Sequence, residues 1–208
     1  MNDKIDQILL KNKDLLLGKH NSEDFKKLIK KMFKKYRVKV HIIPVFQDMG
    51  ISLLTFGGGY NEETDTIDLD FFVTDSVDGT LFLAECYWSE FSFKVSQLLQ
   101  HELIHRKQAY SRDRIFESRK YKVQKDASGD REYLSDSDEI DAYSHDIAME
   151  IIKYYKNSEK NKIFSEMSQM THLESFILYK NAFKCTNWNK IYKKLMKKTY
   201  KWVEYYAF

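Results

Sequence analysis

The sequence predicts an α+β fold in which a small sheet from the N-terminal half is followed by a largely helical remainder. Three observations carry this reading. Apolar residues alternate with a period of two at Val38, Val40 and Ile42 and again at Ile67, Leu69, Phe71 and Val73, the pattern of half-buried strands. From about residue 89 the period lengthens to that of a helix, and it stays helical through most of the chain beyond residue 135. The 208 residues, 43% of them hydrophobic, are enough for one domain with a substantial core, spanning 1–208.

Taken in order, Ile5, Ile8 and Leu9 fall at helical spacing ahead of Gly18, so a short first helix ends there. Ser22 is placed to cap a second helix, whose stripe of Phe25, Leu28, Ile29, Met32 and Phe33 is backed by Lys26, Lys27, Lys30, Lys31 and Lys34. The sheet region follows, over residues 36–88, with a strand ending near Pro44, the one proline. Gly57, Gly58 and Gly59 read as a flexible turn between the strands; no Gly-Lys-Ser/Thr follows them, which argues against a phosphate-cradling loop. Asp75 to Gly79 reads as another turn, and Leu81 to Tyr87 as either a third strand or the lead-in to the next helix.

Phe91, Val95, Leu98, Leu99 and Leu103 define a helix over about 89–110. Residues 111–134 hold few apolar positions and read as a long connection. Ser135 and Ser137 offer caps for a helix over about 137–157 with Ile140, Tyr143, Ile147 and Ile151 on one face. In the C-terminal part, residues 160–208, Thr171 and Glu174 form a capping-box pattern, and a last helix carries Trp188, Ile191, Leu195, Trp202 and Tyr206.

Composition excludes several functions. No run reaches the roughly 20 apolar residues of a membrane span, and the N-terminus lacks the apolar stretch of a secretory signal. Cys86 and Cys185 form no CxxC pair, which suits a reducing compartment and a packing role for both. A net charge of +3 is too small to argue for nucleic acid by itself, so only a local patch could carry that reading and nucleic acid is not the expected partner. Lys190, Lys193, Lys194, Lys197, Lys198 and Lys201 do give the last helix a basic face, which could lie on an anionic membrane or follow a phosphate backbone but reads first as a solvated surface around a packed stripe.

The chemistry is concentrated in His101-Glu102-Leu103-Ile104-His105, an HExxH pattern on a predicted helix. Residues four apart lie one turn apart on the same face, so both imidazoles can reach one metal ion. Glu102 then stands beside the metal and is placed to act as general base on a water held there. A chance match in a chain of this length has a probability of roughly one per cent. A catalytic zinc needs a third protein ligand and leaves a position for water.

The motif, mid-helix after strands and with apolar middle residues, resembles that of the zincin metallopeptidases. No HExxHxxGxxH is present, so the metzincin pattern is excluded. Asp136-Ser137-Asp138-Glu139-Ile140-Asp141-Ala142-Tyr143 resembles the second-helix segment of gluzincins, and by that resemblance Glu139 is the third ligand, with Asp141 and Asp138 as alternatives. Gluzincins often place an Asp four residues after the ligand; here Tyr143 stands there, and Asp146 could serve instead. HELIHRKQ and YLSDSDEIDAYSHDIA also resemble segments of metallopeptidases encoded by tailed bacteriophages.

The resemblance implies a zincin-like fold and a zinc-dependent metallopeptidase acting on protein or peptide, in host cytoplasm or virion. The alternative is a virion-associated binding protein with a structural zinc. Tyr143 and His145 are candidates for stabilising an oxyanion, with packing the plainer role of each; His20, His41 and His172 read as structural.

Overall fold

The computed structural model describes residues 3–45, 54–74, 80–112, 127–155, 173–183 and 188–207. The fold is α+β, and the chain divides into two compact units, Met1–Arg114 and Ile115–Phe208, each with its own hydrophobic core.

The first unit opens with α1 (Asp3–Lys11) and the single turn α2 (Lys13–Leu16), followed by β1 (Gly18–Asn21) and α3 (Ser22–Met32). Gly18 lies just past the end of α2, as expected, and opens β1 with φ +96°, a conformation that a residue with a Cβ rarely adopts. The cap of α3 is Asn21, one residue ahead of the expected Ser22: its side chain accepts from Asp24 N at 2.8 Å.

A three-stranded sheet follows from β2 (Val38–Val45), β3 (Leu54–Asn61) and β4 (Thr66–Thr74), in the order β2-β4-β3. β3 and β4 form an antiparallel hairpin and β2 joins β4 in parallel. The glycine triplet is therefore no turn. Gly57, Gly58 and Gly59 pair with Asp70, Leu69 and Asp68 inside β3, and the chain reverses over residues 62–65. Gly58 answers a steric demand: a Cβ there would lie 2.5 Å from Asp68 O and 3.1 Å from Leu98 Cδ1. A second sheet pairs β1 with β5 (Thr80–Leu83) in antiparallel register, and a 3₁₀ turn over Glu85–Tyr87 leads on, so both readings of residues 81–87 hold in part.

The unit closes with α4 (Trp88–Ser111), within a residue of its expected bounds. Its Phe91, Val95 and Leu99 meet Phe25 and Ile29 of α3, Val38 and Val40 of β2, and Ile67, Leu69 and Phe71 of β4 in one core. Phe71 lies 5.5 Å from the Phe25 ring and 5.7 Å from Phe56 in edge-on contacts. Burying one such ring stabilises the fold by about 2 kcal/mol. Cys86 is exposed on the 3₁₀ turn, which removes its packing role; Cys185 lies outside the described residues.

The second unit contains α5 (Ala127–Ser135), α6 (Ser137–Tyr155), α7 (Glu174–Phe183) and α8 (Trp188–Ala207). α5 lies within the stretch expected to be a connection: it is polar apart from Tyr133 and the buried Leu134, too few apolar positions to signal a helix. Ile140, Ile147 and Ile151 of α6 pack with Phe176, Tyr179 and Phe183 of α7 and Ile191, Leu195 and Val203 of α8. Thr171 and His172 lie outside the described residues. Among the described residues no helix is long and apolar enough to cross a membrane.

Candidate metal centre

α4 does more than fill the core. One side of it is apolar, but Ser96, Gln97, Gln100, His101 and Glu102 are buried as well, a polar row that the hydrophobic effect alone would not place inside. Part of the row is tied down from α1, where Asp6 Oδ1 accepts from Ser96 Oγ at 2.7 Å and Ser96 Oγ in turn accepts from Gln100 Nε2 at 2.9 Å.

The helical repeat then brings the two motif histidines together. His105 Nε2 stands 3.1 Å from His101 Nε2, with ring centroids 4.9 Å apart. His105 Nδ1 lies 2.9 Å from Gln108 Oε1. An amide oxygen only accepts, so Nδ1 carries the proton and donates it, and the Nε2 lone pair of His105 is left facing His101. That tautomer is the one a metal-binding imidazole requires, with its other nitrogen held by a hydrogen bond. His101 is 7% exposed and Glu102 4%. The histidine pair fits a divalent cation by donor type and spacing, and the His105 tautomer suits one.

No protein family, curated protein or solved structure matches this chain.

Immediately after His105, Arg106 fastens α4 to the hairpin. Asp65 Oδ2 accepts from Arg106 Nη2 at 2.6 Å, Tyr110 OH at 3.0 Å and Arg37 Nη1 at 3.0 Å, while Oδ1 accepts from Tyr60 OH at 3.1 Å. Asp65 ends the β3–β4 turn at φ +50° and is 5% exposed. Burial opposes its ionisation, but the hydrogen bonds from Arg106, Tyr110 and Tyr60 outweigh that and hold its carboxyl below the usual carboxylate range. Burial and the Asp65 carboxylate push the Tyr60 phenol up to about 12. Sequence reasoning missed this knot: its members sit at 37, 60, 65, 106 and 110, and no local pattern joins them.

In the second unit, Glu139 lies in the first turn of α6 and is 6% exposed. Asp136 caps that helix, its Oδ1 accepting from Asp138 N at 2.8 Å, so the cap is neither Ser135 nor Ser137. Of the three acids weighed as a ligand, Glu139 is the buried one. Asp138 is half-buried, and Asp141 is engaged by Lys198 Nζ at 3.1 Å.

The remaining candidates are held in packing. His145 is 1% exposed, its Nε2 lies 2.9 Å from Tyr206 OH, and the Trp202 ring stands edge-on to it at 5.0 Å. Asp146, also buried, has Oδ1 3.5 Å from His145 Nδ1. Tyr143 stands edge-on to the fully buried Tyr179 at 5.4 Å. Burial first, then Tyr143 and the Glu139, Asp146 and Asp136 carboxylates, push the Tyr179 phenol far above its ordinary range, so this α7 residue faces the acidic side of α6. No sequence signal marked it. In the first unit His20 Nε2 lies 3.0 Å from Leu16 O and His41 Nε2 3.1 Å from Asp68 Oδ1, structural contacts in both cases.

Proposed function

We propose that this protein is a metal-dependent hydrolase of the zincin type, a metallopeptidase, in which His101, His105 and Glu139 each offer one ligand atom to a zinc ion. The observation that supports it most is the imidazole pair on α4, with Nε2 atoms 3.1 Å apart and the His105 tautomer set by Gln108. Glu139 is assigned as third ligand on its burial and on its resemblance to the second-helix acid of gluzincins.

Zinc in such a set supplies a Lewis acid that lowers the pKa of a water and polarises a carbonyl. Glu102, next to His101 and buried, is the general base: its carboxylate takes the proton from the attacking water and passes it to the leaving amine of the cleaved peptide. Gln108 holds the His105 ring in its acceptor form, and the Asp65–Arg106 ion pair fixes the helix immediately beyond it.

Metal analysis of the purified protein, paired with a peptide-library assay of Glu102→Gln, tests the proposal. One zinc per chain, lost in His101→Ala and retained in Glu102→Gln with activity reduced by a factor on the order of 10² to 10⁴, is the expected result. Absence of stoichiometric metal refutes it. Stoichiometric zinc with no hydrolysis by either protein would leave the virion-associated binding protein with a structural zinc, and full hydrolysis by Glu102→Gln would remove Glu102 as the base.

A further inference from the structure

A feature outside the metal centre has no place in hydrolysis. α8 carries six lysines against one glutamate, more positive charge than the whole chain's net +3. α3 is also lysine-rich, yet it is built as electrostatics favours, with Glu23 and Asp24 in its first turn, Lys30 and Lys31 in its last, and Lys26–Glu23 and Lys27–Asp24 ion pairs between. α8 inverts that design: its first turn holds no acid and its lysines follow one another at i, i+3 and i+4. Like-charge neighbours at these spacings destabilise a helix. Among the described residues only Lys198 of these six has a carboxylate partner, Asp141; Lys190, Lys193, Lys194, Lys197 and Lys201 have none within ion-pair reach.

The five lysines share one exposed face with Tyr200, itself 38% exposed. At its N-terminal end the face runs into a cavity of about 500 Å³ within the second unit, lined by Arg131, Lys190 and Lys194, by one acid, Glu132, and by Ser135, Phe183 and Ile191. Three cations against one carboxylate, beside an apolar wall, suit an anionic ligand that also carries a flat apolar body.

We infer that the α8 face and this cavity bind single-stranded nucleic acid, with Lys190, Lys194, Lys197 and Lys201 following the phosphates and the cavity taking an unstacked base. The lysine row climbs about 4.5–6 Å per step, comparable to successive phosphates on a single strand. A duplex keeps its bases stacked and would leave the cavity unused. An anionic membrane is disfavoured because the apolar side of α8, Ile191, Leu195, Met196 and Val203, is buried in the core and has nothing to insert. The whole-chain charge of +3 hides the six lysines gathered on this one helix.

The test is fluorescence anisotropy of the full-length protein with a labelled thymidine single strand of about 20 nucleotides, across a salt series. Two charge-matched variants are compared: Lys190→Gln/Lys194→Gln/Lys197→Gln on α8 and Lys27→Gln/Lys30→Gln/Lys31→Gln on α3. The α8 variant should bind at least about tenfold more weakly and reduce the slope of log K against log salt by roughly 2, while the α3 variant changes little. Arg131→Gln should weaken binding without touching α8 itself, which keeps the test decisive if the triple variant misfolds. No binding, equal losses in both triple variants, or equal binding to polyglutamate or phosphatidylserine vesicles would overturn the proposal.

Discussion

His105 and His101 face each other through their Nε2 atoms at 3.1 Å, and the proton on the far side of the His105 ring is committed to Gln108 at 2.9 Å. The hydrogen bond between the two imidazoles contributes only about 1 kcal/mol to that placement. A cation between them gives it a purpose, and Gln108 becomes a residue with a measurable job.

Gln108→Ala should therefore weaken metal binding without unfolding α4. Loss of the hydrogen bond that selects the tautomer costs about 10- to 100-fold in affinity at comparable sites. Competition with a chromophoric chelator measures it; an unchanged dissociation constant would remove Gln108 from the site.

Asp65→Asn should destabilise the first unit by about 3 kcal/mol, because Arg106 loses a buried charged partner and Arg37 and Tyr110 lose an acceptor. The native pKa of Asp65 is lowered from 3.8, so its ionised form adds stability that is complete above the unfolded pKa and is lost as pH falls through the folded one. Urea midpoints from neutral pH down into the acid range should converge for wild type and variant; a gap that persists at the acid end would mean that charge is not what Asp65 contributes.

Gly58→Ala and Gly59→Ala should differ sharply although the glycines are neighbours. The added methyl meets the Asp68 carbonyl and Leu98 at Gly58, and nothing within 4 Å at Gly59. Thermal unfolding should show a loss of about 1–3 kcal/mol for the first and almost none for the second.

Much of this architecture is legible in the chain because helices are local. The 3.6-residue period of α4 and α6 sets their bounds to within a residue or two and marks the packed stripe of α8, and HExxH places His101, Glu102 and His105 on one helix by spacing alone. Strand pairing is not local. The glycine triplet reads as a turn until Leu69 is known to lie opposite Gly58, and β1 finds its partner β5 some sixty residues downstream. The Asp65 knot and Tyr179 are silent for the same reason: each acquires its meaning from residues that only the fold brings near.

Tyr206→Phe separates packing from catalysis at His145. Removing the hydroxyl leaves His145 Nε2 without its 2.9 Å partner in a buried site, which should cost about 1–3 kcal/mol in urea unfolding. Peptide hydrolysis by the folded fraction should be unaffected; a fall in kcat would return His145 to the reaction.

The strand order β2-β4-β3 has its own effect on how the protein is made. β2 leaves the ribosome first, yet among the described residues its partner in the sheet is the last of the three strands. Until Thr66 and the residues after it are synthesised, Val38, Val40 and Ile42 sit on a ribbon with both edges open, a template for other nascent chains. Slow translation or warm expression should thus favour inclusion bodies, and a charged residue at an outward position of β2 should relieve them without touching the metal site.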